Sequence, residues 1–324
     1  MIRARIAGTG MAVPDRVMTN ADIEKIVDTS DDWIMERTGI RERRIASDDE
    51  ALSDFAVPAA QRALEMAGLD GSEVQLVICA TVTGDMSFPA TATGIQHRIG
   101  ARRATAFDLG AACTGFIYAL QIADQMIRAG TVRNAVIVGG ELLSKFVDWT
   151  DRRTCVLFGD GAGAVALTAT EEDRGVLGVA TYSDGALGDL IYRPGGGSRL
   201  PILNGDRTAH FIQMRGNETF KIAVRSLTEV SDEVLSTCGL RHADVDWFIP
   251  HQANRRIIDA VGKRLDVPEG HTYVNIERFG NTSAASIPIA LDELVRNGKV
   301  AEGNHLLFSA FGSGLTWGAG VVRW

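Results

Sequence analysis

Cys113 is the residue of this sequence best placed for covalent chemistry. It lies between an apolar segment and a long amphipathic one, in AFDLGAACTGFIYALQIADQMIRAG, which predicts a thiol between a strand and the N-terminus of a helix. Unpaired N–H groups and the helix dipole favour an anion at that point, and the thiolate is the nucleophilic form of cysteine. The segment alone also fits an inert buried thiol, so both interpretations stay open.

Two further polar side chains follow predicted apolar strands. His251 comes directly after Pro250, which cannot donate to a strand ladder and favours the end of the strand. Asn281 lies in FGNTS, immediately before a predicted helix. An imidazole can hold or move a proton near neutral pH, and a carboxamide N–H₂ can donate but cannot act as a base. Each residue could instead only cap the helix that follows it.

A glycine-dense loop, FGSGLTWG at 311–318, follows the last apolar strand. Backbone N–H groups without side-chain shielding are what an oxyanion hole requires. An ordinary turn has the same composition, so the loop supports a reaction site only together with the other residues.

The elements that must position these groups alternate between strands and helices. Runs rich in Val and Ile predict strands at 75–80, 105–109, 134–139, 247–250 and 305–310. A helical apolar spacing predicts a long helix at about 216–238. This alternation predicts an α/β protein with largely parallel sheets, covered by helices on both faces. Ligands bind beyond the carboxyl ends of the strands in such sheets.

The sequence also repeats itself. TAFDLGAACTGFIYALQIADQMIRAGTV parallels TYVNIERFGNTSAASIPIALDELVRNGKV, and aligning Arg128 with Arg296 places Cys113 on Asn281. Further parallels occur in the same order, which favours a duplication over the general likeness of βαβ units. We predict an N-terminal half at 1–172 that carries the cysteine and a C-terminal half at 173–324 that carries His251 and Asn281. Packing about a pseudo-twofold axis would bring their strand ends into one cleft.

Length, charge and cysteine spacing exclude several classes of protein. The 324 residues exceed a usual single domain, and the net charge of −8 argues against nonspecific nucleic-acid binding. The four cysteines form no C-x-x-C pair and the six histidines no H-x-x-x-H pair, so we predict neither a metal site nor a disulfide framework. No apolar run could span a bilayer, and the N-terminus lacks the apolar stretch of a signal peptide. These features predict a cytoplasmic protein without a membrane contact.

The motifs around these residues resemble those of the β-ketoacyl-acyl carrier protein synthase III family, within the thiolase superfamily. Matching stretches run almost end to end: GTGMAVP, TSDDWIMERTGIRERR, DLGAACTGF, FGDGAGAV, MRGNETFKIAV, IPHQANRRI, RFGNTSAASIPIAL and FGSGLTWGAGVVRW. Elongating condensing enzymes have a second histidine at the position of Asn281, so the resemblance is to the priming type, which initiates type II fatty acid synthesis. It implies a thiolase-like fold: two duplicated halves, with mixed, largely parallel sheets in an α/β/α/β/α sandwich.

The resemblance implies a two-step reaction. Cys113 takes an acyl group from acyl-CoA as a thioester, with the N–H groups of Cys113 and Gly314 as the oxyanion hole. His251 and Asn281 then donate hydrogen bonds to the thioester carbonyl of malonyl-acyl carrier protein while CO₂ is lost, and the carbanion attacks the acylated cysteine. The product is a 3-ketoacyl-acyl carrier protein, and no cofactor is needed. Whether His251 also deprotonates Cys113 stays open, since the helix terminus could suffice.

The resemblance also implies two binding surfaces. The residues expected to hold the adenine and phosphates of CoA are Trp33, Arg37 and Arg152. The residues expected to receive the acidic carrier protein are Lys221, Arg255 and Arg256. A core tryptophan and solvated charges would have the same sequence appearance.

Two aromatic residues resemble those that shape the acyl pocket. Phe88 resembles a residue that such enzymes extend across a homodimer into the pocket of the partner subunit. Phe311 resembles a residue beside the catalytic cavity. Both could equally be packing aromatics, and the sequence does not fix the primer, which can be acetyl, branched or medium-chain.

Three other functions share parts of this pattern. Cysteine, histidine and asparagine in this order also describe papain-like hydrolases, but the C-G-S-C-W surroundings are absent. GDGAGA, GTGMAV and RPGGGS lack the G-x-G-x-x-G spacing of dinucleotide-binding proteins. A secondary-metabolism relative that uses the same three residues for quinolone synthesis, polyketide priming or acyl transfer to oxygen or nitrogen stays open.

Overall fold

The computed structural model of the protein describes residues 2–201 and 207–324. The strands in these ranges are β1 (Arg3–Ala12), β2 (Val17–Thr19), β3 (Glu42–Arg44), β4 (Leu76–Ala80), β5 (Thr105–Leu109), β6 (Asn134–Leu142), β7 (Asp160–Thr170), β8 (Gly175–Ser183), β9 (Ile191–Tyr192), β10 (Gln213–Met214), β11 (Trp247–Pro250), β12 (His305–Gly312) and β13 (Thr316–Arg323). The α-helices are α1 (Asn20–Ile23), α2 (Asp31–Thr38), α3 (Leu52–Ala67), α4 (Thr91–Arg98), α5 (Gly115–Arg128), α6 (Gly216–Thr237), α7 (Arg255–Arg264), α8 (Ile276–Phe279) and α9 (Ser286–Arg296).

Two mixed sheets form the framework of the protein. The first has the order β1-β7-β6-β4-β5, in which β4 is parallel to β5 and β6 and the other pairs are antiparallel. The second has the order β8-β13-β12-β11, in which only the pair β11 and β12 is parallel. A parallel bridge from Phe248 to Thr272 extends the second sheet where β5 extends the first. The two sheets therefore share one topology.

This shared topology favours the predicted halves 1–172 and 173–324, which stay a prediction. In chain order, the first sheet ends with β7 at Thr170 and the second sheet begins with β8 at Gly175. Parallel pairing is less extensive than the sequence suggested, because β1, β7, β8 and β13 join antiparallel. Only residues 313–315 separate β12 from β13, which is too short for the crossover that a parallel pair needs.

Helices cover both sheets and fill the space between them. On β4, Ile78 packs with α5 and α9, whereas the next-door Val77 faces α3 and α4. On β12, Phe308 faces the same central helices and Leu307 faces α6 and α7. Successive side chains on a strand point to opposite faces, so each apolar strand is buried on both sides. The layers are α3 with α4, the first sheet, α5 with α9, the second sheet, and α6 with α7, as the predicted sandwich requires.

The predicted elements agree with these bounds. Strands predicted at 105–109 and 247–250 match β5 and β11 residue for residue, and the predicted helix at 216–238 is α6. The strands predicted at 134–139 and 305–310 continue to Leu142 and Gly312. These extensions carry residues 141 and 312 to the edge at which the cysteine lies.

The predicted alignment of Cys113 with Asn281 is wrong at the helix starts. Each central helix follows a 3-10 turn whose first residue has a positive φ, 44° at Ala112 before α5 and 50° at Ser283 before α9. Counted from these residues, Cys113 corresponds to Ala284. The helices have 14 and 11 residues, so an alignment of their C-terminal ends displaces their starts by the difference.

Two observations concern metals and membranes. Within residues 2–201 and 207–324, no group of three or more His, Cys, Asp and Glu side chains is arranged to hold a metal ion. In the same ranges, no helix combines the length and apolar character needed to cross a bilayer. All four cysteines are free thiols.

Candidate active site

Cys113 lies in the 3-10 turn between β5 and α5, two residues before α5 begins. Two hydrogen bonds tie this turn to β13: Thr114 Oγ1 donates to the Thr316 carbonyl (3.1 Å), and Thr316 Oγ1 donates to the Ala111 carbonyl (3.2 Å). A Cβ on Gly312 would lie 2.8 Å from the Cys113 nitrogen, so the end of β12 must be glycine to pack there. The glycine-dense loop therefore begins in contact with the thiol residue.

The surroundings of Cys113 favour the thiol over the thiolate. Burial raises the pKa of Cys113 to about 12, and the negative charge of Glu141 adds to the increase, while hydrogen bonds to Ser283 and to its own backbone N–H reduce it in part. The helix terminus, which the sequence analysis took to favour an anion, is outweighed by desolvation of the sulfur. The proton must leave the sulfur as the sulfur attacks.

His251 is a buried, neutral imidazole held between β12 and α9. Its backbone N–H donates to the Ser309 carbonyl (2.8 Å), and its Nδ1 lies 2.7 Å from Ser286 Oγ. That hydroxyl accepts a hydrogen bond from the Gln252 N–H (3.3 Å) and has its own proton to donate to Nδ1, an arrangement that matches the tautomer with the ring proton on Nε2. Burial lowers the pKa of His251 to about 3, so at pH 7 the ring is neutral, and in that tautomer Nε2 is a hydrogen-bond donor.

Asn281 is fixed through its backbone and through its side-chain oxygen. Its N–H donates to the Leu157 carbonyl (2.9 Å), and its carbonyl accepts from the Gly159 N–H (3.1 Å). Its Oδ1 accepts from the Ser283 N–H (2.9 Å). Because Oδ1 is occupied, Nδ2 is the end of the carboxamide left to meet a ligand, and it can only donate.

The segment 283–286 is where the three predicted catalytic residues meet. Ser283 bonds Asn281 through its backbone N–H and lines the cavity beside Cys113, and Ser286 bonds His251. The sequence analysis missed both serines. The sequence signal for them was the spacing of two serines by three residues in TSAAS, at the start of a predicted helix.

A cavity of about 410 Å³ opens onto Cys113. Most of its wall is apolar and includes Leu143, Phe146, Phe158, Ile191 and Ile212. Its polar wall includes Thr83, Arg193, Ser283 and Ser313. An apolar chamber that ends at a sulfur atom suits an acyl chain bound as a thioester.

The other residues predicted for the oxyanion hole and the acyl pocket are not among the described residues that line this cavity. Gly314, in the loop between β12 and β13, has a φ of 138°, which favours glycine. Phe311 is buried in the cluster against α6 and α7, and it is not among the described residues that line the cavity. Phe88 is 84% exposed in the loop between β4 and α4. Neither aromatic residue closes the cavity of its own protomer.

Trp33, Arg37 and Arg152, for which the resemblance implies CoA binding, form one cluster. The guanidinium carbon of Arg37 lies 4.8 Å from the centroid of the Trp33 ring, and that of Arg152 lies 5.1 Å from it. Arg152 also donates to the Asp28 carbonyl (2.9 Å). An indole flanked by two guanidinium groups can stack on a purine and pair with phosphate.

Lys221, Arg255 and Arg256 are exposed near the starts of two adjacent helices, α6 and α7. The guanidinium carbon of Arg256 lies 5.5 Å from the centroid of the Phe220 ring. This contact joins the starts of the two helices. Asn254 Nδ2 donates to the Arg37 carbonyl (2.8 Å). The three predicted carrier-protein residues are thus connected to the Trp33 cluster.

Glu141 is a further polar residue that the sequence analysis missed. It is buried after the apolar part of β6, and its carboxyl group accepts from Thr83 Oγ1 (2.5 Å), the Val82 N–H (3.2 Å) and Ser283 Oγ (3.3 Å). Burial raises the pKa of Glu141 to about 7 in spite of these hydrogen bonds. The sequence signal for Glu141 was its position: it directly follows the apolar run NAVIVGG, as Cys113 follows the end of its own strand.

Comparisons with known proteins agree with this geometry. Residues 107–185 match the family model for 3-oxoacyl-[acyl-carrier-protein] synthase III, and residues 235–324 match the model for its C-terminal part. The chain is 50% identical to the beta-ketoacyl-[acyl-carrier-protein] synthase III of Xanthomonas campestris pv. campestris, over 100% of this chain and 99% of the relative.

Solved structures give the same result. The crystal structure of 3-oxoacyl-[acyl-carrier-protein] synthase III from Aquifex aeolicus has a TM-score of 0.93 and 48% identity, over 99% of this chain and 100% of that chain. The priming beta-ketosynthase from the R1128 polyketide biosynthetic pathway has a TM-score of 0.94 and 36% identity, over 99% of this chain and 96% of that chain. The chain therefore belongs to the 3-oxoacyl-[acyl-carrier-protein] synthase III family.

Proposed function

We propose that this protein is the priming condensing enzyme of type II fatty acid synthesis. It transfers an acyl group from acyl-CoA to Cys113 and condenses it with malonyl-acyl carrier protein, giving 3-ketoacyl-acyl carrier protein and CO₂. The observation that carries this proposal is the meeting of Cys113, His251 and Asn281 through the segment 283–286 beside an apolar cavity. Membership of a family of condensing acyltransferases supports the same reaction.

In the first step, the Cys113 sulfur attacks the thioester carbonyl of acyl-CoA and loses its proton. The carbonyl oxygen becomes an oxyanion that accepts hydrogen bonds from the backbone N–H groups of Cys113 and Gly314. The bond to the CoA sulfur then breaks, and CoA leaves as a thiol. The contact of Gly312 with the Cys113 backbone brings the glycine loop to the side of the sulfur where the oxyanion forms.

In the second step, His251 Nε2–H and Asn281 Nδ2–H donate to the thioester oxygen of the malonyl group. The bond to the carboxylate carbon breaks, CO₂ leaves, and the electron pair remains as an enolate held by these two donors. The enolate carbon attacks the acyl carbonyl, the bond to Cys113 breaks, and the sulfur takes up a proton from solvent. A neutral imidazole is suited to donate here without giving up its proton, and decarboxylation supplies the driving force without a cofactor.

Substrate binding follows from the two polar surfaces. We propose that Trp33, Arg37 and Arg152 hold the adenine and phosphates of CoA. Lys221, Arg255 and Arg256, which are connected to this cluster through Asn254, attract the acidic carrier protein. Both substrates then deliver their thioester along one route, and both belong to the cytoplasm, where we place the enzyme.

We further propose a homodimer formed along β5. In the part of the chain that the structure describes, β5 is an edge strand of the first sheet, and an exposed edge is a template for pairing with a second copy. The nearby loop exposes Val82, Met86 and Phe88 to 48%, 57% and 84%. Thr91, after this loop, donates from its backbone to Asp108 of β5 (2.7 Å). Pairing of two β5 strands would cover this apolar loop and carry Phe88 toward the partner's cavity.

Product analysis with a panel of acyl-CoA primers tests the proposed reaction. Acetyl-, branched and medium-chain acyl-CoA are each mixed with malonyl-acyl carrier protein, and malonyl-CoA serves as the control acceptor. We expect 3-ketoacyl-carrier protein and one CO₂ for each CoA released. Release of CoA at the same rate without any acceptor would identify a hydrolase instead.

The second candidate function is a priming ketosynthase of secondary metabolism. The similarity to the R1128 polyketide enzyme favours it, and it uses the same three residues. The primer panel separates the two candidates when carrier proteins from both types of pathway are offered. A marked preference for a secondary-metabolism carrier protein would select the second candidate.

A further inference from the structure

Glu141 is a buried carboxyl group beside the nucleophile that the steps above do not use. Its relative exposure is 0%, and its charge acts on the Cys113 thiol. Within residues 2–201 and 207–324, no lysine or arginine forms an ion pair with it. Burying a carboxyl group without an ion pair is costly, and the effect of its charge on the Cys113 thiol points to a role in the reaction.

Ser283 links this carboxyl group to the sulfur. The Ser283 hydroxyl donates to Glu141 Oε1 (3.3 Å), and Ser283 lines the same cavity as Cys113. A hydroxyl has one proton and two lone pairs, so it can donate to Glu141 while it accepts the S–H of Cys113. The Ser283 backbone has a φ of 50°, a conformation that non-glycine residues rarely adopt and that is held mainly at functional sites.

The rest of the Glu141 shell fixes the direction of this link. Thr81 Oγ1 (3.3 Å) and Thr83 Oγ1 (2.5 Å) both donate to Oε2. The Val82 N–H is shared between the two oxygens, at 3.2 Å from each. Oε1 is therefore the oxygen on the side of Ser283 and Cys113.

We propose that Glu141 accepts the Cys113 proton through Ser283 during acylation and returns it to the departing CoA. As the sulfur lone pair forms the bond to the acyl carbon, the S–H proton passes to Ser283 Oγ and the Ser283 hydroxyl proton passes to Glu141. When the bond to CoA breaks, its electron pair stays on the CoA sulfur. The proton returns from Glu141 through Ser283 to that sulfur, and Glu141 is again a carboxylate. This inference rests on the proposed function, which supplies the acyl-CoA.

The titration behaviour of the neighbouring groups leaves Glu141 as the group of this link that changes charge near neutral pH. Burial raises the pKa of Glu141 to about 7, that of Cys113 to about 12, and that of Cys79 on β4 well above its usual value. Burial lowers the pKa of Arg193, in the loop after β9, and the charge of Glu141 offsets part of this decrease. His251 is neutral throughout this range.

The test is the pH dependence of single-turnover acylation. Wild type, Glu141→Gln and Ser283→Ala are mixed with acyl-CoA between pH 5.5 and 8.5, and acylated Cys113 is measured by intact mass. We expect the wild-type rate to rise with a midpoint near pH 7. We expect both variants to lose this midpoint and to be slower by roughly 10²-fold at pH 8, with rates close to wild type at pH 5.5.

Thr83→Val is the matched control for damage to the Glu141 shell. This substitution removes a hydrogen bond that favours the Glu141 carboxylate but keeps the link from Glu141 to Ser283. The acylation rate of the variant should therefore still depend on pH, with its midpoint shifted to higher pH. Alkylation of Cys113 by iodoacetamide, which needs no acyl-CoA, should show the same midpoints.

The outcomes separate this inference from the proposed function. Both variants keeping the midpoint near pH 7 and a rate within twofold of wild type at pH 8 would overturn the role of Glu141. Should Glu141→Gln not fold, the result for Ser283→Ala alone decides. A wild-type Cys113 that accepts no acyl group from any acyl-CoA at any pH would instead overturn the proposed function.

Discussion

Burial moves the pKa values of Cys113 and His251 away from neutrality in opposite directions. That of the thiol rises to about 12 and that of the imidazole falls to about 3, so both residues are uncharged at pH 7. Cysteine proteases instead use a histidine-paired cysteine whose pKa is strongly lowered. A neutral imidazole with its proton on Nε2 is a hydrogen-bond donor to an enolate, which fits a condensing enzyme better than a hydrolase.

Glu141→Gln should stabilise the protein at high pH. The native pKa of about 7 lies above the ordinary value of 4.5, so between these values the native state holds a proton that the unfolded state has released, and stability falls as pH rises. The difference corresponds to about 3 kcal/mol in the free energy of unfolding. Urea denaturation at pH 5 and pH 8 should therefore show a gain for Glu141→Gln, relative to wild type, that is larger at pH 8 by nearly this amount. An equal effect at both pH values would contradict the burial argument.

Ser286→Ala should impair condensation and spare acylation. Ser286 Oγ holds Nδ1 of His251 at 2.7 Å, and its loss releases the ring orientation and the assignment of the proton to Nε2. A hydrogen bond of this kind contributes about 1 kcal/mol, so we expect the discharge of acylated enzyme by malonyl-acyl carrier protein to slow by roughly 5- to 10-fold. The acylation rate of the same variant is the control. Equal losses in both steps would indicate a general structural defect.

At the scale of elements, the site depends on two similar turns before the central helices. Ala112 and Ser283 start these turns with positive φ values of 44° and 50°, and the turns pack together between the two sheets. One presents the sulfur and the other presents the hydrogen-bond donors to it. The end of β12 closes the third side, because Gly312 lies against the Cys113 nitrogen.

Gly312→Ala tests this close packing. Its Cβ would lie 2.8 Å from the Cys113 nitrogen, so either β12 or the turn must move, at a cost of about 1–3 kcal/mol in the free energy of unfolding. We expect the acylation rate to fall sharply as well. Gly94→Ala is the matched control, since nothing lies within 4 Å of its Cβ position in α4, and it should be neutral or slightly stabilising. Similar stability and acylation rates for the two variants would contradict the packing argument.

At the scale of the whole molecule, the duplicated sheets explain why residues far apart in the sequence meet. Strand ends from the first sheet supply Cys113 and Glu141, and the second sheet supplies His251 and Gly312. The central helices α5 and α9 lie between the two sheets and begin at this junction. One cavity therefore draws on both predicted halves.

Much of this arrangement could be predicted from the sequence, and the limits of prediction have physical causes. The apolar runs that form β5 and β11 are bounded sharply, so local pattern was sufficient for them. The sequence could not fix the direction of the Cys113 pKa shift, because residues such as Ser283 and Gly312, more than 160 positions away in the chain, help to bury its sulfur. The helix start is a local feature, whereas desolvation depends on the complete fold.

The exposed edge of β5 predicts the behaviour of the protein in solution. Multi-angle light scattering should give twice the mass of the chain at micromolar concentration. Phe88→Asp should weaken the dimer or change the acyl-CoA preference, because the side chain is 84% exposed in the single protomer and needs an apolar partner surface. A monomeric wild type would contradict the homodimer and the role of Phe88 in a partner's pocket.

The most direct test of the central claim is intact-mass spectrometry with peptide mapping after addition of acyl-CoA. We predict one acyl group on Cys113 in wild type and none on Cys113→Ala. Asn281→Ala should carry the acyl group on Cys113 and retain it after malonyl-acyl carrier protein is added, whereas wild type is discharged. Acylation of another residue, a labelled Cys113→Ala protein, or normal discharge of Asn281→Ala would contradict the account.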